Sequence, residues 1–171
     1  MNYRRSGFTL VEVMVTLAIA TILLAVAAPS LTSLYESSRA DSEIRRIHQA
    51  LQLARNHAIS YGTRVTVCPT TGGACGTDWI GGFRVFTDGS TADNFDGDDI
   101  VIKEISGFNN KDFISFSGSA ISFSPDGLLP TNSTAETISY CPAAKDNSNS
   151  KSATISTSGR ISFDDTAVNC T

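Results

Sequence analysis

Histidine is scarce in this 171-residue chain: His48 and His57 are the whole supply, which leaves little for acid–base or metal chemistry. The two are nine positions apart on a predicted helix, so they point to opposite sides of it. No phosphate-cradling glycine loop, no dinucleotide fingerprint and no nucleophile–base motif occurs. Basic charge is also short, with 13 Lys and Arg against 17 Asp and Glu, a formal net charge of -4. A general polyanion-binding surface needs clustered cations and is disfavoured. No internal repeat is present. These deficits argue against an enzyme and imply no cofactor.

Charge is lacking most of all between Phe8 and Ala28, where Glu12 is the single ionisable side chain. The run FTLVEVMVTLAIATILLAVAA would form a helix of about 31 Å, long enough to cross a bilayer core. Arg4 and Arg5 precede it without an acid, which holds that end in the cytoplasm and sends the remainder across the membrane. A secretory signal cut after Ala25-Val26-Ala27 and a plain anchor are the competing readings. Neither accounts for Glu12, since a carboxylate at a bilayer centre costs roughly 2.5–3.5 kcal/mol on insertion scales. Nearer the end of the span the cost falls, and a cationic partner offsets it.

Arg4-Arg5-Ser6-Gly7-Phe8-Thr9-Leu10-Val11-Glu12 resembles the class III signal of type IV pilins and type II secretion pseudopilins. The resemblance implies that residues 1–7 are a leader removed by prepilin peptidase between Gly7 and Phe8. It further implies that Phe8 is then N-methylated, and that Glu12 faces the amino terminus of a neighbouring subunit in a helical filament. Loss of Arg4 and Arg5 would leave 11 basic against 17 acidic side chains.

Pro29 is expected to kink or locally unwind the helix. Ala40, Ile44, Ile47, Leu51, Ala54 and Ala58 then recur in steps of three and four, predicting an amphipathic helix from about residue 37 to residue 60. Arg45, Arg46, Gln49, Gln52, Arg55 and Asn56 read as its solvated face. Gly62 is the expected cap. Eight short β-rich runs follow, near residues 64–68, 83–87, 100–105, 113–116, 120–123, 137–141, 153–156 and 160–163. Turn sequences such as Thr71-Gly72-Gly73, Pro125-Asp126-Gly127 and Ser158-Gly159 separate them. The predicted fold is α+β, a long helix packed on antiparallel sheet. Its parts are the leader 1–7, a membrane or filament-core helix 8–28, its amphipathic continuation 29–62 and a β-rich head 63–171.

Leu53-Ala54-Arg55-Asn56-His57-Ala58, Val65-Thr66-Val67-Cys68-Pro69, Gly82-Phe83-Arg84-Val85-Phe86-Thr87-Asp88 and Phe123-Ser124-Pro125-Asp126-Gly127 occur in that order. In this order they resemble the GspH/FimT family of minor pilins and pseudopilins. The resemblance implies a structural subunit of a type IV pilus or a type II secretion pseudopilus. Its partners would be other pilins, prepilin peptidase and the inner membrane, with a single span and the head in the periplasm.

A periplasmic head would favour disulfides. Four cysteines allow three connectivities; the short step from Cys68 to Cys75 favours a local bridge, leaving Cys141 for Cys170. Asp88, Asp93, Asp96, Asp98 and Asp99 crowd one stretch, where calcium is the sharper reading and a solvated hairpin turn the preferred one. DNA binding in natural transformation is the alternative function. It is associated in some relatives with a Gly-Arg-x-Arg signature, here Gly159-Arg160-Ile161-Ser162, with the second arginine replaced. Lys145, Lys151 and Arg160 are the candidate DNA contacts, beside Asp164 and Asp165.

Overall fold

The structure, a computed structural model, describes residues 7–69, 74–131 and 133–170, apart from the side chains of residues 26–29. Residues 1–6 of the leader, with Arg4 and Arg5, and the Thr71-Gly72-Gly73 turn lie outside the described residues. Helix α1 spans Leu10–Tyr61 and is continuous through Pro29, whose fixed φ is compatible with helical backbone. The chain divides into two units, residues 1–35 and residues 36–171, which are described in turn.

In the first unit α1 starts with an N-cap. The Thr9 hydroxyl accepts the Glu12 N–H at 3.2 Å, and the Thr9 carbonyl accepts the Val13 N–H at 3.2 Å. Two further hydroxyls turn inward on their own helix: Thr16 donates to the Val13 carbonyl and Thr21 to the Ala18 carbonyl. The Thr16 and Thr21 hydroxyls thus donate within the helix, which suits a helix in an apolar medium.

In the second unit the stripe of Ala40, Ile44, Ile47, Leu51, Ala54 and Ala58 is buried, together with Ala50. The helix stops where glycine permits it. Gly62 adopts φ 62°, and the Thr63 N–H reaches back to the Ala58 carbonyl at 3.3 Å, the longer bond of a Schellman motif.

Eight strands follow among the described residues: β1 Val65–Cys68, β2 Gly82–Thr87, β3 Val101–Ser106, β4 Phe113–Phe116, β5 Ile121–Phe123, β6 Glu136–Cys141, β7 Lys151–Ile155 and β8 Ile161–Asp164, with a 3₁₀ turn Trp79–Gly81 leading into β2. They form two four-stranded sheets, ordered β3-β2-β1-β5 and β4-β6-β7-β8, every pairing antiparallel. The chain crosses to the second sheet at β4, returns for β5, and crosses again at β6. The helical stripe, Val65, Val67, Phe83, Val85, Ile121 and Phe123 of the first sheet, and Ile138, Tyr140, Ala153 and Ile155 of the second belong to one buried cluster. The small residues at 50, 54 and 58 allow this close packing.

Polar clamps lock the layers. Asp112, its side chain fully buried, accepts hydrogen bonds from Arg39 Nη2 at 2.8 Å, from the Ala143 N–H at 2.9 Å and from the Tyr140 hydroxyl. Burial, then this carboxylate, pushes the Tyr140 hydroxyl well above its usual range. Arg55 ties two turns to α1, donating from Nε to the Gly127 carbonyl at 3.1 Å and from Nη2 to the Ser158 carbonyl at 3.3 Å. Gly159 sits against the first of these turns with φ 72°; a Cβ there would lie 1.9 Å from the Gly127 carbonyl oxygen. Arg46 donates to the Ser106 carbonyl at 2.6 Å. The expectation that Arg46 and Arg55 form a solvated face is therefore corrected: guanidinium groups on long stems reach past the core edge to carbonyls at the end of a strand and in two turns.

Candidate functional site

The first candidate site is the start of α1. Phe8 is 84% exposed, and Leu10, Val11, Met14, Leu17, Ile22 and Leu23 are exposed with it. The helix contains an 18-residue window of mean hydropathy 2.5, none of it buried within the chain. Surface of this size and polarity needs a membrane or other protein to cover it. Glu12, the one charge on it, occupies the first turn. There the unpaired N–H groups of the helix end favour an anion.

Thr9-Leu10-Val11-Glu12 has the spacing of a capping box, and the bond from the Glu12 N–H to Thr9 is half of that motif. The signal for this role of Thr9 is the sequence Thr-x-x-Glu before an apolar run. The expected cut between Gly7 and Phe8 lies ahead of Thr9, so it would leave the cap intact.

The body carries two disulfides, Cys68–Cys75 and Cys141–Cys170. The second closes a separation of 29 residues. It brings Cys170 to the end of strand β6, while Ser150, just ahead of β7, donates from its hydroxyl to the Val168 carbonyl and accepts the Val168 N–H. In the chain-entropy account such a loop contributes about 3–4 kcal/mol.

The acidic stretch folds on itself. Asp88 is buried, paired with Arg64 at 3.3 Å, and accepts hydrogen bonds from the Thr66 hydroxyl at 2.6 Å and the Asp93 N–H at 3.0 Å. Asp93 accepts from the Ser122 hydroxyl, Asp96 from the Asp98 N–H and the Ser90 hydroxyl, and Asp99 from the N–H groups of Gly89 and Asp96. Among the described residues no three His, Cys, Asp or Glu side chains are grouped to hold a metal ion. Oxygens of Asp88, Asp93 and Asp96 are taken up by the Thr66, Ser122 and Ser90 hydroxyls and by backbone N–H groups.

The candidate DNA contacts are not brought together. Lys151 opens β7 and is paired with Asp165 at 3.1 Å and Asp41 at 3.9 Å. Arg160 is exposed in the turn at the other end of that strand, five residues along by register and so about 17 Å away at strand rise. The Lys145 ammonium stands over the Phe113 ring at 5.7 Å. This arrangement lacks the continuous basic track that phosphates require.

His48 is half-buried and stacked on Phe163 with ring centroids 4.1 Å apart. Burial lowers its pKa from 6.5, outweighing a backbone hydrogen bond to Ile161 that raises it; Arg45 lowers it further. His57 stacks on Tyr61 at 4.2 Å. Neither ring has a nucleophile among its recorded partners.

The fold is similar to that of the type IV minor pilin FimU of Pseudomonas aeruginosa, strain PAO1, in two crystal forms. In space group P21 the TM-score is 0.64 at 18% identity, covering 81% of this chain and 99% of that one. In space group P65 it is 0.59 at 20% identity, covering 77% and 99%. At these identities the likeness is one of fold. No curated protein matches the chain. Residues 2–28 match the prokaryotic N-terminal methylation motif, which coincides with the exposed apolar helix start. Residues 43–159, from the amphipathic half of α1 to the β7–β8 turn, match the family described as type II transport protein GspH. With most of its length inside that family, the chain belongs to the GspH family and is a structural subunit of the pilin and pseudopilin kind.

Proposed function

We propose that this subunit is held in the inner membrane by residues 8–28 with its body in the periplasm, and that it enters a type IV pilus or type II secretion pseudopilus through that helix. Prepilin peptidase would cut between Gly7 and Phe8, and Phe8 would be N-methylated. Glu12 is the docking group. The observation that carries this reading is an exposed apolar helix whose single charge sits in its first turn. Leaving the bilayer for a bundle of like helices costs little hydrophobic free energy, because both surroundings are apolar. Direction must then come from polar contacts, and the positive N-terminal amine of an adjacent subunit is the partner that a lone carboxylate in an apolar setting requires.

Substituting Glu12→Ala in the full chain, expressed in cells that assemble the filament, tests this. Peptide mapping is expected to find the mature terminus at methylated Phe8, while incorporation into sheared filaments falls at least about tenfold, the loss of one charge-assisted contact. Wild-type incorporation of Glu12→Ala would refute the docking role. A mature terminus at Ala28 would refute the processing.

A further inference from the structure

Outside the helix start, one surface feature runs against the composition. A cleft of about 550 Å³ opens beside β3, lined by Arg46 of α1, Gly82 to Arg84 of β2 and Lys103 to Ser106 of β3. Arg46, Arg84 and Lys103 are among its lining residues with Glu104 as the one lining acid and Glu43 paired to Arg46 beside it, in a chain of formal charge -4.

Both guanidinium groups are fixed in place. Arg46 lies over the Phe108 ring at 4.9 Å and is tied to Ser106, with Glu43 at 3.2 Å behind it; Arg84 lies over the Phe95 ring at 5.3 Å. The Arg84–Glu104 pair, 2.6 Å long, joins side chains 35% and 61% exposed, so solvent screens it and an incoming carboxylate can compete for Arg84. Lys103 is exposed and forms no ion pair among the described residues.

The cleft also borders a sheet edge. β3 is the outermost strand of its sheet, paired on one side by β2 and on the other by no strand among the described residues. Two devices guard that edge against indiscriminate pairing: the register shift opposite Val85 and Phe86, and the charge of Lys103 at mid-strand. A lysine deters an apolar or basic strand and favours an acidic one.

We propose that β3 and its cleft form a docking site for an extended acidic segment of another protein. Backbone hydrogen bonds to the free edge of β3 would supply affinity. Carboxylates at alternate positions, on one face of the added strand, would reach Lys103 and Arg46 on the helix-packed side of the sheet and supply selectivity, with Arg84 on the opposite face. The acidic stretch of a second copy does not fit, because Asp88, Asp93, Asp96 and Asp99 are folded into their own loop. The inference stands on the cleft and the edge, independently of Glu12.

The test uses the full chain in detergent micelles and a fluorescent alternating Glu–Val peptide of about eight residues, slightly longer than β3. Fluorescence anisotropy should show saturable binding that weakens about tenfold in Lys103→Glu and less in Lys103→Gln, with the circular dichroism of both variants unchanged. Replacing Glu by Gln in the peptide, or N-methylating its alternate amides, should each reduce binding by a similar factor. Equal binding by Lys103→Glu, by the Gln peptide or by the N-methylated peptide would overturn the proposal. So would equally tight binding of a short DNA duplex, which would make the cleft a general anion site.

Discussion

His48 shows how one side chain on a helix surface takes its chemistry from what is packed over it. The sequence places it next to the buried stripe of α1. The structure adds Phe163 from β8, stacked on the ring, and the Arg45 guanidinium 5.6 Å from the same phenyl centroid. Gln52 lies beside the other edge of the imidazole at 3.5 Å. Burial holds the folded-state pKa below 6.5, so the folded chain prefers neutral His48 while the unfolded chain takes a proton more readily. Stability from this residue is therefore full above pH 6.5 and is lost as the pH falls through the lowered value. Urea midpoints at about pH 7.5 and about pH 5 should differ more in the native chain than in His48→Gln, and an identical difference would exclude His48 as the cause. Phe163 is more than a hundred residues away in the chain, and no local pattern announces the pair.

At the scale of elements, periodicity carried most of the information. The stripe from Ala40 to Ala58 and all eight strands are visible in the sequence because burial on one side imposes a period of 3.6 or 2. The division into two sheets is not visible, since alternation states which face is buried and not which strand lies alongside. Nor is Asp112 conspicuous as a residue, although it joins α1, β6 and the loop after β6. Removing it leaves the Arg39 guanidinium and the Tyr140 hydroxyl without their shared acceptor inside the body. Asp112→Ala should lower unfolding stability by about 3 kcal/mol or more, the usual result of orphaning one half of a buried pair. Chemical denaturation of the full chain in detergent checks it, and a loss below about 1 kcal/mol would mean that water replaces the carboxylate. Gly62 belongs to the legible group, because a helix end that needs positive φ selects glycine.

At the scale of the whole molecule, the distribution of charge sets where each part can reside. Residues 8–28 carry one charge, while the body holds nearly all the acids and both disulfides. The proposed orientation predicts that protease added to spheroplasts degrades the body and leaves a short membrane-embedded fragment beginning at Phe8. Protection of the body until the inner membrane is lysed would reverse the topology.

The sequence by itself determined the membrane-length helix, its lone carboxylate, the amphipathic stripe, the strand order along the chain and the family resemblance. All of these rest on residue type at fixed local spacing, which backbone geometry reads directly. Tertiary structure alone decided the two-sheet partition, the use of Arg46 and Arg55 as clamps, the self-satisfied acidic loop and the cleft at β3. Each depends on groups far apart in the chain meeting at hydrogen-bond distance, and that proximity is fixed only when the core closes and buried polar groups must find partners.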